Sequence, residues 1–248
     1  MTPLKLNCDL GEGYGAWSLG DDAEIMPLID QANIACGFHA GDPSTILSTL
    51  QYAKEHKVTV GCHPSYPDRV GFGRRSMTIA PKDLYADVLY QTSALVGMAK
   101  SLDLSVSYLK PHGALYHDML ANSEIFQVLL RVAQNHPSPL QLMVPAGATT
   151  SAMIQQAASA DIKLIFEAFA DRRYTRHKTL VPRTQEGAVL SKAEMLAQTK
   201  QLMSTGTIIS DCGTHIALQA NTLCVHGDTP SALAALQELR TLVTPDVD

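Results

Sequence analysis

The sequence predicts an α/β fold and, within that class, a (β/α) barrel that is either complete or lacks one strand. Short apolar segments alternate with helical patterns along 248 residues, which is the length and rhythm of a parallel barrel. Almost every predicted strand is followed at once by an acid, a histidine or a glycine. Loops after barrel strands meet at one mouth, whereas a doubly wound open sheet gathers only two or three of them. We therefore expect a barrel, as a single domain over residues 1–248.

Eight short apolar runs have the continuous hydrophobicity of buried parallel strands. In chain order they are Leu4–Cys8, Gln31–Ala35, Val58–Cys62, Ser105–Leu109, Leu140–Val144, Lys163–Phe166, Thr207–Ser210 and Thr222–Val225. The polar segments that follow them, including SDCG after the seventh, are expected on one face of the fold.

Helical patterns lie between most of these strands, and several begin at a recognisable start signal. The predicted helices are Pro43–His56, Pro81–Leu102, Ser123–Asn135, Thr149–Ala160, Ser191–Met203 and Thr229–Leu242. Asp42 before Pro43, Asn122, and the capping box from Ser191 to Glu194 are such signals.

Composition and charge exclude several classes of function. The formal charge is −5 and the pI is about 6.0, so the basic footprint of a nucleic-acid or anionic-lipid binder is absent. The first residues lack the apolar core of a signal peptide, and no apolar run is long enough to span a bilayer. Five cysteines without a Cys-x-x-Cys pair argue against a disulfide framework, and a cytoplasmic location is expected. A charged fraction of only 17% favours a protein partner or self-association as a homo-oligomer.

The first strand ends in a cluster of polar residues and glycines. Asn7, Asp9 and Glu12 stand in the segment NCDLGEG. Two carboxylates this close raise one pKa, which suits general acid/base catalysis or cation binding. A glycine-rich turn with a capping acid is the alternative.

Histidines follow the second and third strands. His39 and Asp42 lie in CGFHAGDP, and His63 and Tyr66 lie in GCHPSYPD. Histidines at the ends of adjacent barrel strands can share the mouth, either as metal ligands or as a base beside a carboxylate. Asp42 fits a helix N-cap equally well.

The later strands carry a second set of polar residues. Lys110 and His112 follow the fourth strand, where a lysine suits an anion and a histidine suits proton transfer. The sixth and last strands are followed by Glu167, Asp171, Arg172, His226 and Asp228. Arg172 is a candidate for a bidentate grip on a carboxylate or phosphate, and the loop from Ala168 to Gly187 is a candidate lid.

With these motifs in view, the sequence resembles the LamB/YcsF family nearly from end to end. The resemblance lies in NCDLGEGYG (7–15), ANIACGFHAGDP (32–43), GCHPSYPDRVGFGRR (61–75), LKPHGALY (109–116), EAFADRRY (167–174), LVPRTQEGAV (180–189) and CVHGD (224–228). The segment TRHKT, from Thr175 to Thr179, departs from the Asp-Gly that the family usually has there. The resemblance implies a fold related to carbohydrate-deacetylase and glycosidase barrels.

The same resemblance implies ATP-dependent hydrolysis of 5-oxo-L-proline to L-glutamate, with Mg²⁺ accompanying ATP and with two further subunits, of B and C type, as partners. On this hypothesis Asp9, Glu12, His39 and His63 position a water or a cation, His112 moves protons, and Lys110 with Arg172 holds phosphate or the substrate carboxylate. The metal set would be Asp9, His39 and His63. The remaining substrate-binding candidates are Asn7, Asp42, Tyr66, Glu167, Asp171, His226 and Asp228. The chain contains no P-loop motif, so partners are expected to supply part of any nucleotide site.

Two other classes of function stay open from the sequence. One is a metal-dependent amide or N-acetyl hydrolase acting on a sugar, which would need a tight metal and no ATP. The other is a non-catalytic subunit that binds the lactam without converting it.

Overall fold

Parallel strands close into a barrel in the computed structural model, which describes residues 4–138, 140–226 and 232–243. Within those residues the barrel has seven strands, in the order β1-β2-β3-β4-β5-β6-β9. They are β1 (Lys5–Leu10), β2 (Gln31–Ala35), β3 (Thr59–His63), β4 (Val106–Leu109), β5 (Gln141–Pro145), β6 (Leu164–Phe169) and β9 (Thr222–Cys224). The predicted barrel is confirmed, in the form that lacks one strand.

The seventh predicted strand, Thr207–Ser210, is not part of the barrel, which corrects the prediction. β7 (Thr207–Ile209) pairs antiparallel with β8 (His215–Ala217), and β6 pairs directly with β9. The burial of β7 explains the difference, because Ile208 is buried while Ile209 is 46% exposed. Barrel strands bury both faces, whereas β7 buries one. The segment SDCG that follows therefore does not extend a barrel strand.

Helices surround the barrel and follow the strands in alternation. They are α1 (Asp22–Ile25), α2 (Pro43–Glu55), α3 (Pro81–Ser101), α4 (Gly113–Ala121), α5 (Ser123–Asn135), α6 (Ser151–Ser159), α7 (Lys192–Thr205) and α8 (Ala232–Val243). A short 3-10 turn, Met26–Leu28, follows α1. None of the described helices combines the length and the apolar composition that crossing a membrane requires.

Three predicted start signals act as helix caps. The Asp42 side chain accepts hydrogen bonds from the backbone N–H groups of Ser44 and Thr45. The Asn122 side chain accepts a hydrogen bond from the backbone N–H of Glu124. Ser191 and Glu194 form the reciprocal capping box. Helix α4 is not predicted by the sequence, because its N-cap is His112 without a side-chain cap and its first residue is Gly113.

Candidate active site at the barrel mouth

A cavity of about 510 Å³ opens where the barrel strands end. Its wall is built by loops after β1, β3, β4, β6 and β9, together with the strap, which we define as residues 172–189 after β6. The apolar part includes Phe169, Leu180, Val181 and Pro182. The polar part is Asp9, Glu12, His63, Arg74, Lys110, His112, Tyr116, His117, Arg172, Arg183, Thr184 and His226. The convergence of distant segments on one mouth is what a barrel predicts.

Lys110 forms the buried floor of this cavity between two carboxylates. Its Nζ lies 2.7 Å from Asp9 Oδ1 and 2.8 Å from Glu167 Oε1. The contact with Glu167 is an ion contact rather than a directed hydrogen bond, because Oε1 has no hydrogen-bond donor in the described chain. Burial would lower the pKa of Lys110, but Asp9, Cys224 and Glu167 hold that pKa well above its ordinary value. Lys110 is therefore a fixed cation.

Asp9 is kept ionised by the groups around it. Its Oδ1 also accepts from Asn33 Nδ2 at 2.8 Å, and its Oδ2 lies 3.4 Å from His63 Nε2. Burial alone would raise the pKa of Asp9, but His63 and Lys110 hold it well below the ordinary value. A carboxylate charge is thus maintained at the inner end of the cavity.

The partners of the four ring nitrogens of His63 and His112 indicate that these two rings can share one proton. His63 Nδ1 lies 2.7 Å from the Lys110 carbonyl oxygen, and His112 Nε2 lies 2.8 Å from that of Phe72. A carbonyl only accepts, so both of these nitrogens carry hydrogen. The remaining nitrogens, His63 Nε2 and His112 Nδ1, face each other at 3.0 Å. Two neutral rings would oppose their lone pairs there, and a cation between them, such as a proton, would remove that repulsion.

Either a proton or a metal ion could satisfy these lone pairs. Glu12, His39, His63 and His112 could hold a metal, since each has a ligand atom within 4.8 Å of the others. However, the rings of His39 and His112 are stacked 3.7 Å apart and nearly parallel. Their lone pairs therefore run side by side instead of converging as a tetrahedral ion requires. The hydrogen-bond distance between His63 and His112 fits a shared proton without any movement.

The predicted metal set of Asp9, His39 and His63 is not a single cluster in the structure. His39 and His63 belong to the group with Glu12, whereas Asp9 falls in a second group with Cys224 and His226. The reason is that Asp9 turns toward Lys110 at the floor of the barrel, while His39 Nε2 lies 3.1 Å from Glu12 Oε1.

Glu12 and His39 complete the acid/base cluster. Glu12 Oε1 lies 3.4 Å from His112 Nδ1 as well as 3.1 Å from His39. Burial lowers the pKa of His39 and of His112 well below the ordinary value, and neighbouring histidines act in the same direction. Both rings are therefore neutral near pH 7.

A left-handed turn after β3 holds His112 in place. Phe72 has φ +53° and Gly73 has φ +64°, and the Phe72 carbonyl accepts from His112 while the Gly73 carbonyl accepts from Ala114 N–H. A Cβ on Gly73 would collide with Ser65 and crowd the ring of His112 and the Cβ of His39. Backbone in this region is uncommon for a residue such as phenylalanine and tends to occur at functional sites.

Two predicted binding residues lie beneath the cavity rather than on its wall. The Asn7 side chain donates to Thr222 and accepts from Asn33. Glu167 accepts from the Tyr116 hydroxyl at 2.8 Å besides contacting Lys110. Both side chains are fully buried, and both lie next to Lys110.

Asp42 and Tyr66 do not line the cavity, which corrects their predicted binding role. Asp42 caps α2 and also accepts from Gly15 N–H, which lowers its pKa to about 2. The Tyr66 hydroxyl donates to Asp118, and its ring is fully buried. Their places in the motifs reflect local structure.

Asp171, Arg172 and His226 lie on the strap side of the mouth. Asp171 Oδ2 lies 2.7 Å from His226 Nδ1. Arg172 donates from Nε to the Ala188 carbonyl and from Nη2 to the Val181 carbonyl. The edge of the guanidinium formed by Nε and Nη2 therefore braces the strap, and the grip of Arg172 on a ligand stays a prediction. Asp228 lies outside the described residues.

Sequence reasoning misses several residues of the site. Asn33 is not singled out by it, although a polar residue inside an otherwise apolar strand is a usable signal. Arg74 and Arg183 lie inside the motifs at 61–75 and 180–189, and His117 directly follows the motif at 109–116, but the sequence does not single them out as site residues. Only the closure of the barrel and the path of the strap bring Arg74, His117 and Arg183 to the cavity wall.

Comparison with known proteins agrees with this barrel and its motifs. Residues 4–246 match the LamB/YcsF family, and the chain belongs to that family. A protein named as the A subunit of 5-oxoprolinase from Vibrio cholerae is 45% identical over 238 residues, 96% of each chain. One of the proteins named as 5-oxoprolinase A subunits in Pseudomonas syringae is 46% identical over 241 residues, which cover 97% of this chain and 93% of that one. The crystal structure of a lactam utilization protein from Thermus thermophilus superposes with a TM-score of 0.88 at 38% identity, covering 96% of this chain and 94% of that one.

Proposed function

We propose that this chain is the lactam-opening component of a multi-subunit 5-oxoprolinase. It binds 5-oxo-L-proline at the barrel mouth and hydrolyses the ring amide to give L-glutamate, with ATP consumed by the assembled enzyme. The names of its relatives, which are 5-oxoprolinase A subunits and a lactam utilization protein, support this choice of substrate. The word subunit in those names supports partner chains, which we propose are of B and C type.

The observation that carries the proposal is the 3.0 Å contact between His63 Nε2 and His112 Nδ1 on the wall of a largely apolar cavity, a contact at which the two rings can share a proton. Opening an amide requires that water lose a proton and that the departing nitrogen gain one. A site for this reaction therefore needs an acid and a base within reach of one bound molecule. The histidine pair beside the carboxylates of Asp9 and Glu12 supplies both.

The proposed steps balance in atoms and protons. The oxygen of a water forms a bond to the lactam carbonyl carbon, and the proton of that water passes to the carboxylate of Glu12. The bond from that carbon to the ring nitrogen then breaks, and the nitrogen takes the proton shared by His63 and His112. Transfer of the carboxylic proton to the histidine pair restores the starting state. Lys110 keeps the adjacent Asp9 charged throughout.

The residues of this cavity do not fit a whole ATP with its Mg²⁺. Lys110 and Arg172 are the phosphate holders that the sequence predicts, but Lys110 is paired with two carboxylates and Arg172 is bonded to two strap carbonyls. A triphosphate would also approach the negative charges of Asp9 and Glu12. We therefore propose that the partner subunits bind ATP, and we derive no step through it in this chain.

A metal-dependent amide hydrolase is the second candidate, and the group of Glu12, His39, His63 and His112 favours it. It requires that a metal ion replace the shared proton and that His39 or His112 rotate out of the stacked arrangement. Such an enzyme would turn over without ATP and without partner chains.

The test is production of glutamate and ADP from 5-oxoproline and ATP. The purified chain, its candidate partner subunits and the mixture are assayed separately, each with and without a chelator, with Mg²⁺ restored in excess. Turnover in the mixture alone is the expected result. No turnover in any mixture, together with a tightly bound metal in the pure chain, would reject the proposal in favour of the metal-dependent hydrolase.

A further inference from the structure

The cavity wall carries opposite charges from different segments. Asp9 and Glu12 come from β1 and the loop after it, whereas Arg172 and Arg183 come from the strap. An anion bound beside the strap arginines would face cations, whereas beside Asp9 and Glu12 it would face two carboxylates. The cavity therefore favours a ligand with an uncharged reacting group and an anionic group some distance from it.

Most cations of the cavity already have partners. Lys110 is paired with Asp9 and Glu167, and the Nε and Nη2 edge of Arg172 is bonded to backbone carbonyls of the strap. Arg183 differs, because its Nη2 is buried and has no hydrogen-bond partner within the described residues. A buried guanidinium nitrogen without an acceptor is costly, and an anionic ligand would relieve that cost.

The charge of Arg183 acts on its neighbours. Burial lowers the pKa of Arg172 to about 10, and the charge of Arg183 is the second cause of that lowering. Arg183 also contributes to the lowered pKa of His117. The nearby acid Asp171 is paired with His226 through Oδ2, and both arginines contribute to its lowered pKa. Two arginines thus face one carboxylate on the strap side, which leaves an excess of positive charge there.

The strap fixes the position of Arg183. Arg173 N–H donates to the Ala188 carbonyl, and Val181 N–H donates to the Arg173 carbonyl, so the strap is bonded to itself on both sides of Arg183. Arg172 adds two side-chain hydrogen bonds to the same segment. Leu180, Val181 and Pro182 border the cavity just before Arg183, so an apolar ring and an anion would be held by consecutive residues.

We propose that Arg183 binds the carboxylate of the lactam substrate, with Arg172 as the positioning residue that braces the strap. This inference rests on the proposed function. In 5-oxoproline the carboxylate and the reacting carbonyl are attached on opposite sides of the ring nitrogen, so one can face Arg183 while the other faces His63 and His112. The planar fork of an arginine matches the two oxygens of a carboxylate.

The experiment compares the binding of 5-oxoproline with that of 2-pyrrolidinone, which is the same lactam without the carboxylate. Wild type, R183Q and R176Q are titrated by calorimetry, because Arg176 is an exposed arginine of the same strap that does not line the cavity. Wild type and R176Q should prefer 5-oxoproline, and R183Q should lose about tenfold or more of that preference. R183K should regain part of it, which separates the charge from a structural effect.

Two results would overturn the inference. One is R183Q with the wild-type preference, and the other is R176Q with the same loss as R183Q. If the wild-type chain binds neither lactam, the proposed function fails separately, and inorganic phosphate then tests Arg183 alone. If R183Q weakens phosphate binding and R176Q does not, the anion site at Arg183 is retained. If the two variants bind phosphate equally well, that site is rejected.

Discussion

At the scale of single residues, Lys110 is the group on which the electrostatics of the mouth depend. It is almost completely buried between Asp9 and Glu167, and both carboxylates are buried as well. Removing one partner from such a cluster leaves charges that water cannot reach. Lys110 therefore stabilises the fold and maintains the charge of Asp9 in the same contact.

We predict that K110M lowers the free energy of unfolding by about 3–5 kcal/mol, because Asp9 and Glu167 are left buried and uncompensated. Urea denaturation measures the change. The control is K54M, since Lys54 pairs with Asp103 at 3.6 Å on the surface and should cost no more than about 1 kcal/mol. Equal effects of the two substitutions would contradict the buried ion cluster.

The site residues also show where sequence reasoning reaches its limit. Asp9, His63, Lys110 and His112 can be predicted because chemically active residues at strand ends of a barrel share one mouth. Tyr66 stands in the same kind of segment but turns away to Asp118. The direction of a side chain in a loop depends on the path of the loop, which the sequence pattern does not specify. In the same way, only the folded strap shows that Arg183 Nη2 has no hydrogen-bond partner within the described residues.

At the scale of elements, the predictions succeed where the local pattern is strong. Strand β2 and helix α5 have the predicted bounds, because β2 is a continuous buried run and α5 begins at the Asn122 cap. Helix α4 is missed because it starts at Gly113 without a side-chain cap. β7 is misplaced because a run of three residues does not reveal its sheet partner.

The contact of β3 with β4 gives a prediction about glycine. A Cβ on Gly61 of β3 would overlap the ring of Tyr108, so G61A should destabilise the fold by about 1–3 kcal/mol. The matched control is G97A in α3, where a Cβ meets nothing within 4 Å and a gain of about 0.5–1 kcal/mol is expected. Denaturation midpoints that move in the same direction for both variants would contradict the close contact.

The N-terminus of α2 gives a prediction about pH. The folded pKa of Asp42, about 2, lies below its value in an unfolded chain, about 3.9, so the carboxylate stabilises the fold above pH 4 and ceases to do so as the pH falls toward 2. At pH 7, D42A should cost about 1 kcal/mol, while D42N retains a cap. Melting temperatures at pH 7 and pH 3 should show the gap between wild type and D42N narrowing in acid. A gap that does not change with pH would show that the charge of Asp42 is not what stabilises the cap.

At the scale of the whole molecule, the barrel gathers residues separated by more than 200 positions around one cavity. Asp9 and His226 both line it, although they lie near opposite ends of the chain. The closed order of the strands, with β9 between β6 and β1, is what brings them together. Alternation of strands and helices is sufficient to predict this architecture, while the exclusion of β7 requires the structure.

The central claim is that the proton shared by His63 and His112 opens the lactam. The most direct measurement is turnover of 5-oxoproline by the chain reconstituted with its partner subunits, comparing wild type, H112N and the surface control H56N. H112N should lose about 10²–10⁴-fold in kcat while its affinity for 5-oxoproline, measured by calorimetry, stays within a few fold, and H56N should behave as wild type. Turnover by H112N at the wild-type rate would contradict the account and favour a subunit that binds the lactam without converting it.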